Sequence, residues 1–387
     1  MERLLINDVK IFLENKIIDG GAVWIENGQI KAIEEKPVDN IGSDVQVIDG
    51  KALNLIPGFI DAHIHGANGA DTMDATEKAI DDMAILLPKE GTTSFLATTI
   101  TQSPETIERA LENVARYNNK PGHAEVVGVH LEGPYVNKVK AGAQPVQYIT
   151  EPDLEQFNQW QKISGNQIRT ITMAPELDQE GIFIRALNEQ GINVSAGHTD
   201  ASFAGIKKAV QQGVQQLTHL CNAMNGIHHR DIGAVGAAFQ LESVNAELIP
   251  DGIHVSPDMM ELIYRNVGSE RLILITDAMR AKGLPAGDYE LGGQPVKVTE
   301  DRAVLEDGTL AGSIVTMRDG AANMLAIEGV TLVDIVKMAS SNPAKQVGVF
   351  DRKGSIDIGK DADLLLVDDQ LKIKYTICRG EMAFKGE

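Results

Sequence analysis

LIPGFIDAHIH at residues 55–65, TTSFLATTI at 92–100 and AEVVGVHLE at 124–132 set the reading of this chain. Each is a short run of mainly apolar or small residues, and each is followed by a longer amphipathic stretch. Short runs of this kind suit strands buried on both faces, and a strand-then-helix alternation implies a parallel sheet. The same grammar continues through IRTITMAPE (168–176), INVSAGH (192–198), VQQLTHL (214–220), AELIPDGIH (246–254) and RLILITDAM (271–279), which makes eight runs. Eight such units predict an α/β fold whose centre is a (β/α)8 TIM-like barrel over residues 56–346.

The flanks read differently. Within residues 1–55 the runs LLINDVKIF, AVWIEN and QIKAIEE alternate and are parted by Gly-containing turns, as antiparallel strands do. Residues 347–387 repeat that pattern in GSIDIGKDADLLLVDDQLKIKYTICRGEMAF and are expected to complete the N-terminal sheet. A hairpin insertion is predicted near 284–313, and VTLVDIVKMASSNPAKQVG at 330–348 is predicted to be the last helix. No repeat, low-complexity tract or heptad series is present, which disfavours solenoids and coiled coils.

Composition narrows the function. Of 387 residues 55 are acidic and 35 basic, a formal charge of -20, with 43% hydrophobic and 23% charged residues. A pI near 4.9 argues against nucleic acid and anionic membranes as partners, since both select a basic face. An anionic small molecule would need a local basic pocket. Cys221 and Cys378 cannot build a disulfide framework, no stretch approaches the ~20 apolar residues of a membrane helix, and a cytoplasmic location is expected.

Nearly every apolar run carries, at or near its end, a residue able to bind metal or hydrogen-bond a ligand: His63, His65, Glu132, His198, His219, His254 and Asp277. In a (β/α)8 barrel the C-terminal strand ends share one rim, so these positions converge. The gaps test this: 69 residues from His63 to Glu132, 66 to His198, 21 to His219 and 58 to Asp277. At about 31 residues per β/α unit these count as two units, two, one short one and two. His63 and His65 lie two apart on an extended segment and so share a side. His63, His65, Glu132, His198 and His219 are read as metal ligands, with Asp277 beside them as a metal contact and a general base. His130, two residues before Glu132, is read as a packing or supporting residue. Imidazole and carboxylate donors suit zinc first, with iron, manganese or cobalt as alternatives, in one or two ions per subunit. Hydrolysis is the expected chemistry, because a divalent ion lowers the pKa of bound water toward ~7 and polarises a carbonyl or phosphoryl oxygen. Redox chemistry is disfavoured by the lack of a cysteine cluster or Rossmann glycine pattern, and no P-loop or G-x-S-x-G elbow is present.

PGFIDAHIHG, HLEGP, SAGHTDA, THLCNAM, DGIH, TDAM, LAGS and SNPAK together resemble the amidohydrolase superfamily, most closely its branch that deacetylates 6-phosphorylated amino sugars. The resemblance runs from about residue 1 to the C-terminus, and HLEGP followed by THL-x-NAM is its most specific part. It implies a barrel joined to a small β-sandwich made by both chain ends. It also implies hydrolysis of the acetamide of N-acetylglucosamine 6-phosphate to glucosamine 6-phosphate and acetate, in amino-sugar catabolism and cell-wall sugar recycling.

The resemblance assigns roles as well. Glu132, His198 and His219 match the principal metal ligands, and His63 and His65 match a second metal position that some members lack. Asp277 matches the proton shuttle and His254 the residue that steadies the acetamide carbonyl. Ala143, Asn222, Ala223 and Arg230 match sugar-phosphate contacts, as does the backbone around Leu310, Ala311 and Gly312. Arg230 would supply positive charge as a guanidinium fork. Phosphate contacts in this family can come from a neighbouring subunit, which implies a homodimer. Some members carry histidine where Gln144 stands, so the hydroxyl or carbonyl contact made there is expected to differ. Rival readings are the N-acetylgalactosamine epimer as substrate, another amide hydrolase such as a cyclic amidase or dipeptidase, and a non-catalytic sugar-phosphate sensor.

Overall fold

Eight parallel strands form the centre of the molecule: β1 (Phe59–Ile64), β2 (Thr92–Thr99), β3 (Glu125–Glu132), β4 (Ile168–Met173), β5 (Asn193–Ala196), β6 (Val214–Leu217), β7 (Asn245–Leu248) and β8 (Leu272–Leu274). This computed structural model describes residues 3–386; Met1, Glu2 and Glu387, the outermost residues of the segments expected at the two chain ends, lie outside the described residues. Each strand pairs with the next in chain order. The last run returns to the first, where Asp277 N donates to His63 O at 2.8 Å and His65 N donates to Ala278 O at 2.9 Å. The eight apolar runs of the sequence therefore lie side by side in the predicted order. Every residue of β2 and β3 is buried, as expected for strands covered on both faces.

Register sets the height of the site. Thr99 pairs with Leu131 and Glu132 with Thr172, so β2, β3 and β4 finish at one level. Ala196 pairs with Leu217, which places His198 and His219, each two residues further on, at matching heights above β5 and β6. Beneath them, Thr218 Oγ1 lies 2.8 Å from Thr172 Oγ1 and 2.5 Å from Ser195 Oγ. These buried hydroxyls satisfy one another.

The connecting helices start on sequence signals. Ser103 and Ser256 each cap a helix that has proline at its first position, Pro104–Arg116 and Pro257–Val267. Along the first of these, Ile107, Ala110, Leu111 and Val114 recur at helical spacing and are all buried. Leu111→Ala would cost about 2–5 kcal/mol through lost burial and the cavity left behind.

Both ends of the chain enter one mixed sheet. Its N-terminal strands are Arg3–Phe12, Ile17–Glu26, Gln29–Glu34, Gln46–Asp49 and Asn54–Pro57, and its C-terminal strands are Leu364–Val367, Ile373–Cys378 and Glu381–Lys385. The two halves join where Leu364 pairs with Pro57 and Leu366 with Leu55. Asn27 and Gly28 turn the second hairpin with φ of 53° and 78°, the left-handed pair a two-residue hairpin requires. Ile6, Val23, Ile25, Leu55, Leu364 and Ile377 belong to a core of their own, separate from that of the central strands. The insertion forms a three-stranded antiparallel sheet, Gly287–Leu291, Gln294–Val298 and Ala303–Val304.

The last helix departs from the single helix predicted. It runs as Leu332–Val336, a π turn at Lys337–Ser341, and Asn342–Gln346. Tertiary demand explains the break: Asn342 Nδ2 donates to Ser269 O at 2.7 Å and to Leu272 O at 2.8 Å, and Ser341 Oγ donates to Gly354 O at 2.7 Å. Widening one turn lets both side chains reach backbone acceptors. Among the described residues no helix is long and apolar enough to cross a membrane.

Candidate metal centre

The polar residues at the strand ends do converge. His63 lies in β1, Glu132 ends β3, His198 and His219 follow β5 and β6, and Asp277 follows β8. His198, His219 and Asp277 carry φ of 46°, 29° and 47°, a left-handed conformation uncommon outside glycine. Such strain costs about 1–3 kcal/mol per residue and collects where side chains must be aimed at a common point.

Six residues form two metal-capable groups, His63 with His65 and Asp277, and Glu132 with His198 and His219, all buried. Within each group the candidate donor atoms lie within 4.8 Å of one another. Asp277 Oδ1 is 3.4 Å from His63 Nε2 and 3.2 Å from His65 Nε2. Glu132 stands between the groups: its Oε1 is 3.3 Å from His198 Nε2 and 3.4 Å from both His219 Nε2 and His63 Nε2, and its Oε2 is 3.2 Å from His65 Nε2.

The donor set fits a divalent cation. His63 Nε2 is buried without a hydrogen-bond partner although it faces carboxylate oxygens of Glu132 and Asp277. A lone pair aimed between two carboxylates is costly unless a cation or proton sits among them. Electrostatics point the same way. Burial works to lower the basicity of His63 and His65, but the carboxylates of Asp277 and Glu132 outweigh it, raising His63 well above its ordinary range and His65 to about 10. Burial works to raise the two carboxyl groups, yet the imidazoles hold Glu132 well below its usual range and Asp277 down to about 2. Asp277 is thus an ionised acceptor at neutral pH. A bound cation would compete with the imidazole protons.

Outer contacts orient the imidazoles. His63 Nδ1 lies 3.1 Å from Glu247 Oε2, which also accepts from His219 N at 3.2 Å, while Glu247 Oε1 accepts from Gln216 Nε2 at 2.5 Å. His198 Nδ1 lies 2.9 Å from Lys140 O, an acceptor that places the proton on Nδ1 and leaves the Nε2 lone pair free to bind a metal on the side facing Glu132. Asp61 accepts from Thr276 Oγ1 at 2.5 Å and from Thr276 N at 3.2 Å, which ties β1 to the segment leading into Asp277. His130 bonds Thr172 Oγ1 at 2.7 Å and its ring packs 4.4 Å from that of His63; it belongs to neither metal-capable group. Burial, then the charge of His63, holds it well below the usual imidazole range.

A cleft of about 350 Å³ opens above these groups. His65, Glu132, His198, His219 and Asp277 line it, together with His254, Ala143, Asn222, Ala223, Leu310 and Gly312. His254 Nδ1 lies 2.6 Å from Asp251 Oδ2, and its backbone N donates to Asp251 Oδ1 at 2.8 Å, a bidentate hold that leaves Nε2 as the free ring nitrogen. Ala311 is fully buried, with its N donating to Ala303 O at 3.0 Å. Arg230 is exposed, beside the His228–Asp231 turn, and is not among the residues lining the cleft of its own chain.

Three contributors were not assigned from the sequence. Lys140 is the one Lys or Arg lining the cleft among the described residues, and nothing in its spacing marks it. Glu247 sits inside the apolar run AELIPDGIH, where a carboxylate was itself a signal. Gln144, expected to bear on a substrate contact, lines the cleft and also donates to Glu132 Oε2 at 2.7 Å, a link no local pattern showed.

A further acidic group, Glu125 with Asp361 and Asp363, also has ligand-like spacing. Protein cations already fill it: Lys353 Nζ lies 2.7 Å from Glu125 Oε2 and 3.2 Å from Asp361 Oδ2 and also pairs with Asp363.

The chain matches the Amidohydrolase family over residues 54–383. It is 46% identical to an N-acetylglucosamine-6-phosphate deacetylase of Bacillus subtilis, across 99% of this chain and 98% of that protein. A crystal structure of an N-acetylglucosamine-6-phosphate deacetylase from Thermotoga maritima superimposes with a TM-score of 0.88 at 34% identity, covering 99% of this chain and 100% of that one. A mutant of the Mycobacterium smegmatis enzyme, solved in complex with N-acetyl-D-glucosamine-6-phosphate, superimposes with a TM-score of 0.91 at 28% identity, both chains being covered in full.

Proposed function

The chain belongs to the amidohydrolase family, and we propose that it hydrolyses the acetamide of N-acetylglucosamine 6-phosphate to glucosamine 6-phosphate and acetate. The observation that carries this reading is the convergence of Glu132, His198, His219 and Asp277 on the floor of a cleft also lined by His254, Asn222 and Ala223. Glu132, His198 and His219 would hold one divalent cation, zinc in our reading, and His63, His65 and Asp277 would hold a second. When bound, such an ion supplies Lewis-acid polarisation and lowers the pKa of water toward ~7.

The chain's own groups do the remainder. Asp277, ionised at neutral pH, accepts the proton of the attacking water and returns it to the departing amine. His254, held through Nδ1 by Asp251, directs Nε2 at the amide carbonyl and stabilises the charge that develops there. Ala143, Asn222, Ala223, Leu310, Ala311 and Gly312 orient the sugar phosphate. Arg230, exposed and outside its own cleft, meets the phosphate of a second copy, which makes the working unit a homodimer. We take residues 56–346 as the barrel and 1–55 with 347–387 as the small β-sandwich, and the protein as cytoplasmic.

The test is acetate release by purified protein of measured metal content, from the phosphorylated sugar, its unphosphorylated form and its galactosamine epimer. The expected result is phosphate-dependent release that Asp277→Asn lowers by about 10²–10⁴-fold, the usual worth of a general base. No release from metal-loaded protein would sink the assignment and turn attention to other N-acyl substrates.

A further inference from the structure

Gln144 lies in the loop that follows β3 and is 4% exposed. Its amide bridges two fixed partners: Thr101 N donates to Gln144 Oε1 at 2.9 Å, and Gln144 Nε2 donates to Glu132 Oε2 at 2.7 Å. This bridge has one polarity. The Thr101 backbone N–H can only donate, so the atom facing it must be oxygen, and the NH2 group must then face Glu132. An ionised carboxylate only accepts, so the other end imposes the same orientation. The amide cannot flip without breaking both contacts.

The consequence falls on Glu132. With Oε2 engaged by Gln144, Oε1 is the oxygen turned toward His198, His219 and His63, at 3.3, 3.4 and 3.4 Å. The loop that carries Gln144 is itself anchored, since Gln294 Nε2 of the inserted sheet donates to Ala143 O at 2.7 Å. It also supplies Lys140 O to His198 Nδ1. One loop therefore orients two of the three donors in the Glu132, His198 and His219 group.

We propose that Gln144 is a positioning residue: its amide NH2, aimed by Thr101, holds Glu132 so that a single oxygen is presented to the His198–His219 pair, and this sets the affinity of that position for a divalent ion. The inference rests on reading Glu132, His198 and His219 as metal ligands. Partners of this kind, one step removed from the ion, are typically worth 10–100-fold in metal affinity.

The experiment titrates chelator-stripped protein with zinc(II) against a chromophoric competitor and records the cobalt(II) spectrum in parallel. Wild type is compared with Gln144→Met, which loses both contacts, and Gln144→Glu, which keeps an acceptor for Thr101 N but loses the donor to Glu132. Circular dichroism establishes that each variant is folded. The expected result is a tightest ion weakened by about 10–100-fold in both variants, with a shifted cobalt spectrum. Wild-type affinity in either folded variant overturns the proposal, because the donor to Glu132 would then be irrelevant. Weakening in Gln144→Met alone overturns it too, by making the Thr101 anchor the operative contact. If neither variant folds, Gln144 serves the fold rather than Glu132 and the proposal falls. The titration needs no substrate, so normal metal binding without acetate release would sink the proposed function and leave this inference standing.

Discussion

One strand carries a buried carboxylate at each end, and the two are treated in opposite ways. Glu125 opens β3 and Glu132 closes it. At Glu125 the compensating charges are built in: Arg352 reaches its two oxygens at 2.7 and 3.0 Å, Lys353 lies at 2.7 Å and Arg379 at 3.5 Å. At Glu132 no Lys or Arg pairs among the described residues, and the carboxylate faces imidazoles and the Gln144 amide. Permanent cations close the first cluster and join the N-terminal end of the central strands to the C-terminal segment. Imidazoles, whose protons a metal ion can displace, leave the second open to an exogenous cation. The contrast follows the division of labour in this architecture, with stability at one face and chemistry at the other.

The sharpest way to break the comparison is to remove each charge in turn. Glu132→Gln is expected to lower deacetylation by at least about 1,000-fold, several kcal/mol of barrier, while the apoprotein keeps its fold. Activity with metal analysis and circular dichroism on the same samples checks this. Glu125→Gln is expected to do the reverse. It removes one of the three carboxylates around Lys353, whose side chain is 1% exposed, and should cost about 1.5–3 kcal/mol in urea unfolding while kcat of the folded fraction stays at the wild-type value. If Glu125→Gln lost activity without losing stability, the division between the two ends would be wrong.

Chelation separates the ends in another way. Stripping the ion should lower the unfolding temperature of wild type and of Glu125→Gln alike, by the equivalent of about 4 kcal/mol where the free ion stood at a thousand times its Kd. Glu132→Gln, with its ligand gone, should respond much less. Differential scanning calorimetry with and without chelator decides this.

Acid should unmask Glu125. Burial works to raise its carboxyl, but the hydrogen bond from Arg352 and the charge of Lys353 draw it down to about 2 from an ordinary value of 4.5. A folded pKa below the unfolded one contributes stability that is complete above pH 4.5 and lost as pH falls toward 2. That amounts to at most about 3 kcal/mol. Burial pushes the neighbouring Asp363 carboxyl up, so protonation there offsets part of the loss. Urea midpoints between about pH 6 and pH 3 should fall for wild type and fall less for Glu125→Gln. At the bottom of the scale, Arg116→Ala removes an exposed pair with Glu112 and should change stability by less than about 0.5 kcal/mol by the same measurement.

Much of the candidate metal centre was legible because its residues end apolar runs. His63, His65, Glu132, His198, His219 and Asp277 were found from strand periodicity and β/α spacing, both short-range properties of the chain. Partners that meet across the fold were not legible. His63 and Glu247 are 184 positions apart, and Arg352 and Glu125 are 227 apart. No local pattern pairs them. The last helix shows the same limit from the other side: its apolar spacing predicted one continuous helix, and the reach of Ser341 and Asn342 to distant backbone oxygens opened a π turn in the middle.

Sequence alone determined the order of the central strands, the segments that flank them, and which side chains stand at the strand ends, because alternation and amphipathic spacing act over a few residues. Tertiary structure decided which carboxylate is closed by lysine and arginine and which is left facing imidazoles. It also turned Gln144 onto Glu132 and kept Arg230 out of its own cleft. Those outcomes depend on distances of about 3 Å between atoms far apart in the chain, and only the closed ring of strands and its returning loops fix such distances.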